Sequence, residues 1–265
     1  MRRLWTVAIV AALAGLIFAQ GATAIPKKAV PKKAEQPSQT AEKQYNAKIT
    51  FDEESFNFGF APQGNTKLIH KFHLKNTGTD TLRITRVRPT CGCTAAPLEK
   101  KVLAPGEETY IKVIFRTRGY KRRTTKAVKV MSNDPNRPIV SLRFTANFDT
   151  TQWNDVSKGP RIKQDPLILD LGKGKDFKSK ATVVIRNLSD KKLTLKVVDY
   201  TDDVLKEAKL KKTTLKGNGK VKLQVKVRDD YDINKPVQAS ITIAAYDESG
   251  SEVTRITIPV VGGGK

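Results

Sequence analysis

The chain has 265 residues, a formal net charge of +23, two cysteines and two histidines. With so few thiol and imidazole groups, little supports a metal centre built from its own side chains, although the pattern leaves metal binding open, and we expect no cofactor. The positive charge is spread along the chain and predicts adhesion to anionic surfaces. The competing explanation is that the charges only keep the protein solvated, since outward lysines also prevent strand edges from pairing with other molecules.

The first 24 residues have the pattern of a signal peptide. Arg2 and Arg3 precede the apolar run LWTVAIVAALAGLIFA, and Ala22-Thr23-Ala24 at 22–24 is the small-x-small pattern that signal peptidase reads. The run is shorter than the roughly 20 apolar residues that a membrane span needs. We therefore predict a signal peptide at 1–24, and an exported mature protein, periplasmic or extracellular, with no integral membrane span.

The composition changes sharply after the next segment. Residues 25–48 contain repeated Pro-Lys-Lys blocks and almost nothing that could be buried, which predicts a flexible basic linker. From residue 49 onward, short stretches such as KLIHKFHLKN and TYIKVIFRT alternate apolar and polar residues, and turn residues divide them. This pattern predicts an all-β protein built from sandwiched antiparallel sheets.

The strand pattern occurs twice. FNFG at 56–59 has a counterpart in LDLG at 169–172, and the segment from 72 aligns with the segment from 183, so that Asn76 falls on Asn187. A period of about 111 to 114 residues fits whole sandwich domains better than solenoid repeats. We therefore predict two tandem immunoglobulin-like domains, at 49–150 and 160–262, each able to bury its own core and to fold separately.

The first repeat carries a succession of motifs: FNFG, a glycine, HKFHLKNTGTDTLRI, CGCT, LAPGEETYIKVIF and VMSNDP. Over residues 50–148 this succession resembles the bacterial domain-of-unknown-function family 1573. That resemblance implies export and an immunoglobulin-like sandwich related to the abnormal-spindle and PapD-like domains, and it brings no activity with it. The second repeat lacks CGCT and SNDP, so nothing attached to those motifs extends to it.

The two cysteines, Cys91 and Cys93, flank a single glycine, Gly92. Three hypotheses remain open: a local disulfide or packed pair, a thiol–disulfide exchange site, and a soft-metal site for copper(I) or zinc. The exported setting favours oxidation of the two cysteines to each other, with Gly92 providing the turn. No thioredoxin-like βαβ pattern surrounds the pair, which argues against an oxidoreductase.

Arginines and histidines near the cysteines bear on these three hypotheses. Arg83, Arg86 and Arg88 precede the cysteines, and nearby positive charge lowers a thiol pKa. His70 and His73 are the only histidines, and their odd spacing on a strand places them on opposite faces, with His70 on the apolar side. The sequence leaves open whether either histidine approaches the cysteines across strands.

The charge is densest in RTRGYKRR, which we expect to form a hairpin loop. Five cations presented together at one end of the first sandwich suit phosphate or sulfate groups. The predicted anion-binding residues are Arg116, Arg118, Lys121, Arg122 and Arg123.

Signatures of catalysis are not found in the sequence: it has no Ser-His-acid pattern, no phosphate-binding glycine loop and no HExxH. Export and the lack of a recognition-helix motif also argue against specific nucleic-acid binding. We therefore expect a non-enzymatic binding or structural protein of the bacterial envelope, associating with an anionic polymer or a protein partner. The alternative is a periplasmic thiol-redox or soft-metal-handling protein that uses Cys91 and Cys93.

Overall fold

The structure, a computed structural model, describes residues 46–155 and 157–264. The predicted signal peptide and all but the last three residues of the predicted linker lie outside the described residues. Regular structure within the described ranges consists of strands and two short 3-10 turns, which confirms the all-β fold class. Among these residues, no helix is long and apolar enough to cross a membrane.

The strands follow the alternation of the sequence. In β7, Thr109, Ile111, Val113 and Phe115 point into the core, while the intervening side chains face outward, as a period of two requires. The first half of the molecule contains β1 (Ile49–Phe51), β2 (Ser55–Phe60), β3 (Lys67–Asn76), β4 (Leu82–Pro89), β5 (Thr94–Ala95), β6 (Val102–Leu103), β7 (Glu108–Arg116), β8 (Arg123–Ser132) and β9 (Ile139–Asn147).

The second half begins after a short 3-10 turn at Thr150–Asn154, and a second such turn lies at Gly174–Asp176. Its strands are β10 (Ile162–Asp165), β11 (Leu169–Asp170), β12 (Lys180–Asn187), β13 (Leu193–Tyr200), β14 (Leu205–Leu210), β15 (Thr214–Leu215), β16 (Lys220–Val227), β17 (Pro236–Tyr246) and β18 (Glu252–Gly263).

Three sheets hold these strands. Each half has a four-stranded sheet of its own, in the order β1-β3-β7-β5 in the first half and β10-β12-β16-β14 in the second. The third sheet is shared by both halves, in the order β15-β13-β17-β18-β2-β9-β8-β4-β6, with β11 also paired to β18. Phe60 and Ile256 join the halves within this long sheet through a parallel β2–β18 pairing.

Each half has its own hydrophobic cluster between its small sheet and its part of the long sheet. Phe58, Phe72, Phe115 and Phe144 fill the first cluster. Aliphatic side chains dominate the second, including Leu223 and Ile258. Two cores agree with the predicted repeat, but all described residues belong to one compact unit, so separate folding of 49–150 and 160–262 stays a prediction.

The repeat is visible in the side chains that close the turns. Asn76 is fully buried, and its amide donates to the carbonyl oxygens of Asp80 and Leu103 at 2.8 and 3.0 Å. Asn187 does the same in the second half, donating to the carbonyls of Lys191 and Lys216 at 2.7 and 3.0 Å. The sequence alignment of Asn76 with Asn187 therefore matches equal roles in the two halves.

Polar contacts join the halves beyond the shared sheet. The Ser240 hydroxyl accepts a hydrogen bond from the Ile69 N–H at 2.9 Å and donates to the Ile69 carbonyl at 3.0 Å. The Thr257 hydroxyl donates to the Phe58 carbonyl at 2.5 Å. Because these groups are buried, each needs its partner, and separating the halves would leave them unsatisfied unless water entered.

Candidate functional site

The basic loop, residues 116–123, connects β7 of the small sheet to β8 of the long sheet. It turns at 117–120, where the Tyr120 N–H donates to the Thr117 carbonyl at 3.2 Å and Gly119 has a φ of 86°. A positive φ at this turn position is the conformation that glycine adopts without strain. The loop thus has a defined turn, but the hairpin prediction is wrong, because β7 and β8 belong to different sheets and do not pair with each other.

Two side chains anchor this loop to the body of the protein. Thr117 is buried, and its hydroxyl donates to the Gly64 carbonyl at 2.8 Å while accepting from the Thr66 N–H at 3.1 Å. The Tyr120 ring packs on Phe115 and Phe148, with ring centroids 5.0 and 5.8 Å apart. The basic loop is therefore held in place by side chains that carry no charge.

The cations of the basic loop are exposed and uncompensated. Within the described part of the chain, none of the five forms an ion pair, whereas many lysines elsewhere pair with a carboxylate. Like charges so close together repel one another, so the cluster does not contribute to folding stability by pairing. The five residues are Arg116, Arg118, Lys121, Arg122 and Arg123.

The loop opens onto a cleft of about 510 Å³. Arg122, Arg123 and Lys158 line it together with Asn57 and Asn147, so cationic and neutral hydrogen-bonding groups meet in one place. Asp149 is the single carboxylate among the lining residues. The cleft is wide and polar, which suits a hydrated anionic group better than an apolar ligand.

The cysteine turn connects β4 to β5 and crosses between the same two sheets as the basic loop. The Cα atoms of Cys91 and Cys93 lie 5.2 Å apart, within the range that a disulfide spans, while the bond itself stays a prediction. The Thr94 hydroxyl lies 3.5 Å from the Cys91 sulfur and 3.6 Å from the Cys93 sulfur. Apart from Gly92 itself and its two chain neighbours, no described atom comes within 4 Å of a methyl group placed at Gly92, so this side of the turn is open.

Arg116 joins the two features that the sequence treated separately. Its backbone N–H donates to the Cys93 carbonyl at 2.9 Å, and its guanidinium donates to the Gly92 carbonyl at 3.2 Å. The arginine that contacts the cysteine turn therefore comes from the neighbouring strand β7. The spacing between CGC and RTRG gave no signal for this contact, because it depends on β5 pairing with β7.

The histidines lie on opposite faces of β3, as their spacing predicts. His73 is exposed, whereas the side chain of His70 is only 5% exposed and stacks on Phe56 with ring centroids 3.8 Å apart. The Nδ1 atom of His70 lies 2.9 Å from Asp199 Oδ2, and its Nε2 atom lies 3.2 Å from Glu53 Oε1. The polar contacts described for His70 thus go to carboxylates, and Asp199 comes from the second half.

Burial and charge act on His70 in opposite directions. Burial disfavours the charged ring, but hydrogen bonds and negative charge from Asp199 and Glu53 outweigh it and raise the pKa of His70. The ring therefore has a carboxylate on each side, Glu53 from its own half and Asp199 from the other half. Sequence reasoning missed both partners, since neither lies near His70 in the chain.

Within residues 46–155 and 157–264, no group of three or more histidine, cysteine, aspartate or glutamate side chains is arranged to hold a metal ion. Cys91 and Cys93 place two sulfur atoms in one turn, with a threonine hydroxyl beside them. A soft metal bound here would need further ligands from another molecule or from water.

Comparison with known proteins supports the family resemblance. Residues 49–148 match the family described as protein of unknown function (DUF1573), which confirms the expectation drawn from the motifs of the first repeat. The match covers less than half of the chain, and it leaves out the second half. No curated protein sequence matches the chain.

Solved structures give only distant likenesses. A protein of unknown function from Porphyromonas gingivalis W83 shares 16% identity over 81% of this chain and 99% of its own, with a TM-score of 0.33. The periplasmic chaperone SfaE shares 12% identity over 82% of this chain and 100% of its own, with a TM-score of 0.30. The Vibrio cholerae VesB protease shares 15% identity over 38% of this chain, with a TM-score of 0.33, and the chain covers only 32% of that protease. Likenesses at this level assign neither chaperone nor protease activity to the chain.

Proposed function

We propose that the protein is an exported, non-enzymatic binding protein of the bacterial envelope that holds an anionic polymer, or an acidic protein partner, at its basic loop. The observation that carries this proposal is the set of five exposed cations without an ion pair among the described residues. They stand on a loop that Thr117 and Tyr120 hold in place.

The anchoring favours binding because it lowers the cost of ordering the loop. A loop already held by buried hydrogen bonds and ring packing loses less conformational entropy when a ligand arrives. Arginine predominates in the cluster, and its planar guanidinium donates two parallel hydrogen bonds to phosphate or sulfate oxygens. The neighbouring cleft, with Lys158 and two asparagines, extends the set of donors.

Retention on an anionic matrix tests the proposal. We expect replacement of the five loop cations by serine to reduce the salt concentration needed for elution. With fewer contacts to the matrix, binding releases fewer counterions and becomes weaker at a given salt concentration. A matched control removes the same charge from exposed, unpaired lysines of the second half. These are Lys191, Lys192, Lys211, Lys212 and Lys216.

The proposal predicts a clearly larger effect for the loop variant than for the lysine variant. Equal effects of the two variants would show that retention reflects net charge alone. Thermal midpoints of both variants should stay close to that of the parent chain, since exposed substitutions change stability little.

The second candidate function is thiol or soft-metal chemistry at Cys91 and Cys93. It is favoured by the open side of the turn at Gly92 and by Arg116, which lies against the turn. A free-thiol count with metal analysis on exported protein distinguishes the two functions. Two readily alkylated thiols, or a stoichiometric metal that protects them, would support this candidate over a purely non-covalent binding role.

A further inference from the structure

Four neighbouring strands of the first half in the long sheet carry no carboxylate. No aspartate or glutamate occurs in β2, β9, β8 or β4. Alternate residues of β8 and β9 enter the core, and the residues between them face away from it. We call this outward side of β2, β9, β8 and β4 the basic face. Exposed Arg88, Lys129 and Arg143 project from it.

The register places these cations next to one another. Arg88 of β4 lies directly opposite Lys129 of β8. Lys129 in turn lies opposite Ser141 of β9, and Arg143 follows two residues later on the same side. Like charges directly opposite each other in a sheet are unfavourable, so folding alone gives no reason for this arrangement. No ion pair with a described residue compensates any of the three.

The basic face continues toward the basic loop. Arg123, the first residue of β8, lies opposite Asn147, and the hydroxyls of Thr125 and Thr145 are 3.0 Å apart between Arg123 and Lys129 along the strands. Six residues separate Arg123 from Lys129, which corresponds to about 20 Å of strand. The cations thus form a continuous oblique track rather than a single pocket.

The corresponding face of the second half is covered. Asp199 of β13 lies opposite Thr242 of β17, the same cross-strand position that Arg88 and Lys129 occupy in β4 and β8. Asp199 contacts His70, Thr242 is fully buried, and Ser240 bonds to the backbone of β3. In the second half this face is therefore an internal contact with the first half, whereas in the first half it is exposed.

Charge excludes two simple occupants of the exposed face. A second copy of the chain could cover the exposed face with the small sheet of its second half, strands β12 and β16. The outward residues of those strands include Lys180, Lys220 and Lys222, which would lie against the arginines and lysines of the basic face. The segment at 25–48 is also basic, with repeated Pro-Lys-Lys blocks. Complementarity requires an anionic partner.

We propose that the basic face binds an unbranched phosphate-bearing polymer, laid along the track from Arg86 and Arg88 toward the basic loop. Arg86 is exposed on β4, opposite Met131 of β8. This inference rests on the proposed function and names its ligand class and its second contact surface. Arginine forks and the threonine and serine hydroxyls between them match closely spaced phosphate oxygens. The outward residues of β4, β8 and β9 include no aromatic side chain on which a nucleic-acid base could stack. On β2 the outward aromatic is Phe60, opposite Asn147, and its ring packs against the hydrophobic cluster of the second half.

Long-chain inorganic polyphosphate is the probe, because it offers repeated phosphates without bases or sugars. The face variant of the full-length chain carries Arg86→Ser, Arg88→Ser, Lys129→Ser and Arg143→Ser. We expect its dissociation constant to rise at least about tenfold and the slope of log K against log salt to become shallower by about 3, at about 0.7 per lost contact.

A matched control removes four exposed lysines from the small sheet of the second half and the loop beside it: Lys209, Lys211, Lys220 and Lys222. We expect this variant to keep most of the affinity. A face variant that binds polyphosphate like the control variant would overturn the inference. If the face variant kept its affinity but the variant lacking the five loop cations lost binding to the anionic matrix, the inference about the basic face would fail and the proposed function of the basic loop would stand.

Three further probes separate other ligand classes. Tighter binding to heparin, to vesicles of anionic lipid or to a single-stranded oligonucleotide than to polyphosphate of equal charge would also overturn the inference. If changing the basic loop abolished binding to every polyanion and changing the basic face had no effect, the basic face would have no role in binding and the inference would be overturned. If the parent chain binds none of these polyanions, the proposed function fails as well.

Discussion

The loops that follow β7 and β16 share a framework and differ in charge. In the first half the Tyr120 N–H donates to the Thr117 carbonyl, and in the second half the Tyr231 N–H donates to the Arg228 carbonyl, both at 3.2 Å. Each tyrosine ring packs against the core of its own half. Yet the first loop carries five cations, whereas residues 228–235 contain three aspartates.

The aspartates of the second loop are neutralised. Asp229 pairs with Lys206 and Lys226, and Asp230 pairs with Arg228. Such pairing holds the pKa of Asp229 down to about 2. The turn and the tyrosine recur in both halves, whereas the charge of the loop differs. Uncompensated arginines in the first half therefore point to binding rather than to folding.

The turns that follow β4 and β13 differ in the same way. Where the first half has the cysteine turn, the second half has residues 201–204 with Asp202 and Asp203. Lys71 pairs with Asp202 at 2.5 Å, and Lys112 pairs with Asp203, so this second turn is part of the contact between the halves. The same place in the fold thus serves docking in one half and stays exposed in the other.

The largest effect is expected from exchanging the charges at the two corresponding sheet positions. Asp199→Arg replaces the carboxylate beside the buried ring of His70 with a cation, and we expect a loss of about 3–5 kcal/mol in the free energy of unfolding. Arg88→Asp alters an exposed residue and should change it by less than about 0.5 kcal/mol. Urea unfolding measures both variants. Similar losses would mean that the two faces are equally covered in solution.

A smaller effect is expected at the cysteine turn. The corresponding turn of the second half closes without any cysteine, so the Cys91→Ser, Cys93→Ser double variant should fold, losing about 1–3 kcal/mol at the lower part of the disulfide range. Mass spectrometry of unreduced, alkylated protein should show two hydrogens missing and no label. Severe unfolding of the double variant would contradict this comparison, because it would show the cysteines to be essential core residues.

The smallest effect is a pH dependence from His70. Because its folded pKa lies above the ordinary 6.5, protonation stabilises the docked halves fully below pH 6.5, and this contribution is lost as pH rises through the folded pKa. The parent chain should be less stable at pH 8.5 than at pH 6. His70→Gln should show a weaker decline over the same range in urea titrations. Parallel declines would assign the pH dependence to other groups.

Much of the fold was predictable because it depends on local pattern. Alternation located the strands, the repeat placed Asn187 in the role of Asn76, and parity placed His70 inside and His73 outside. These features follow from strand period and turn chemistry, which neighbouring residues determine.

The contacts of the site were less predictable because they join distant segments. The spacing of Arg116 from the cysteines says nothing about β5 pairing with β7. Asp199 reaches His70 only because the second half docks against β3, and two independent domains would have left both exposed. Docking of this kind depends on complementary surfaces, and a repeat alignment treats each domain separately.

The paired hydrogen bonds between Ser240 and Ile69 have a consequence for association. β1 pairs with β3 only from Leu74 to Asn76, so the part of β3 that precedes Leu74 has no paired strand on that side. Ser240 binds both the N–H and the carbonyl of Ile69 there, taking the place of a neighbouring strand. A bare strand edge is a template for intermolecular pairing. The second half thus covers this strand edge of the first half and blocks its pairing with other molecules. It also extends the long sheet, where β18 pairs with β2.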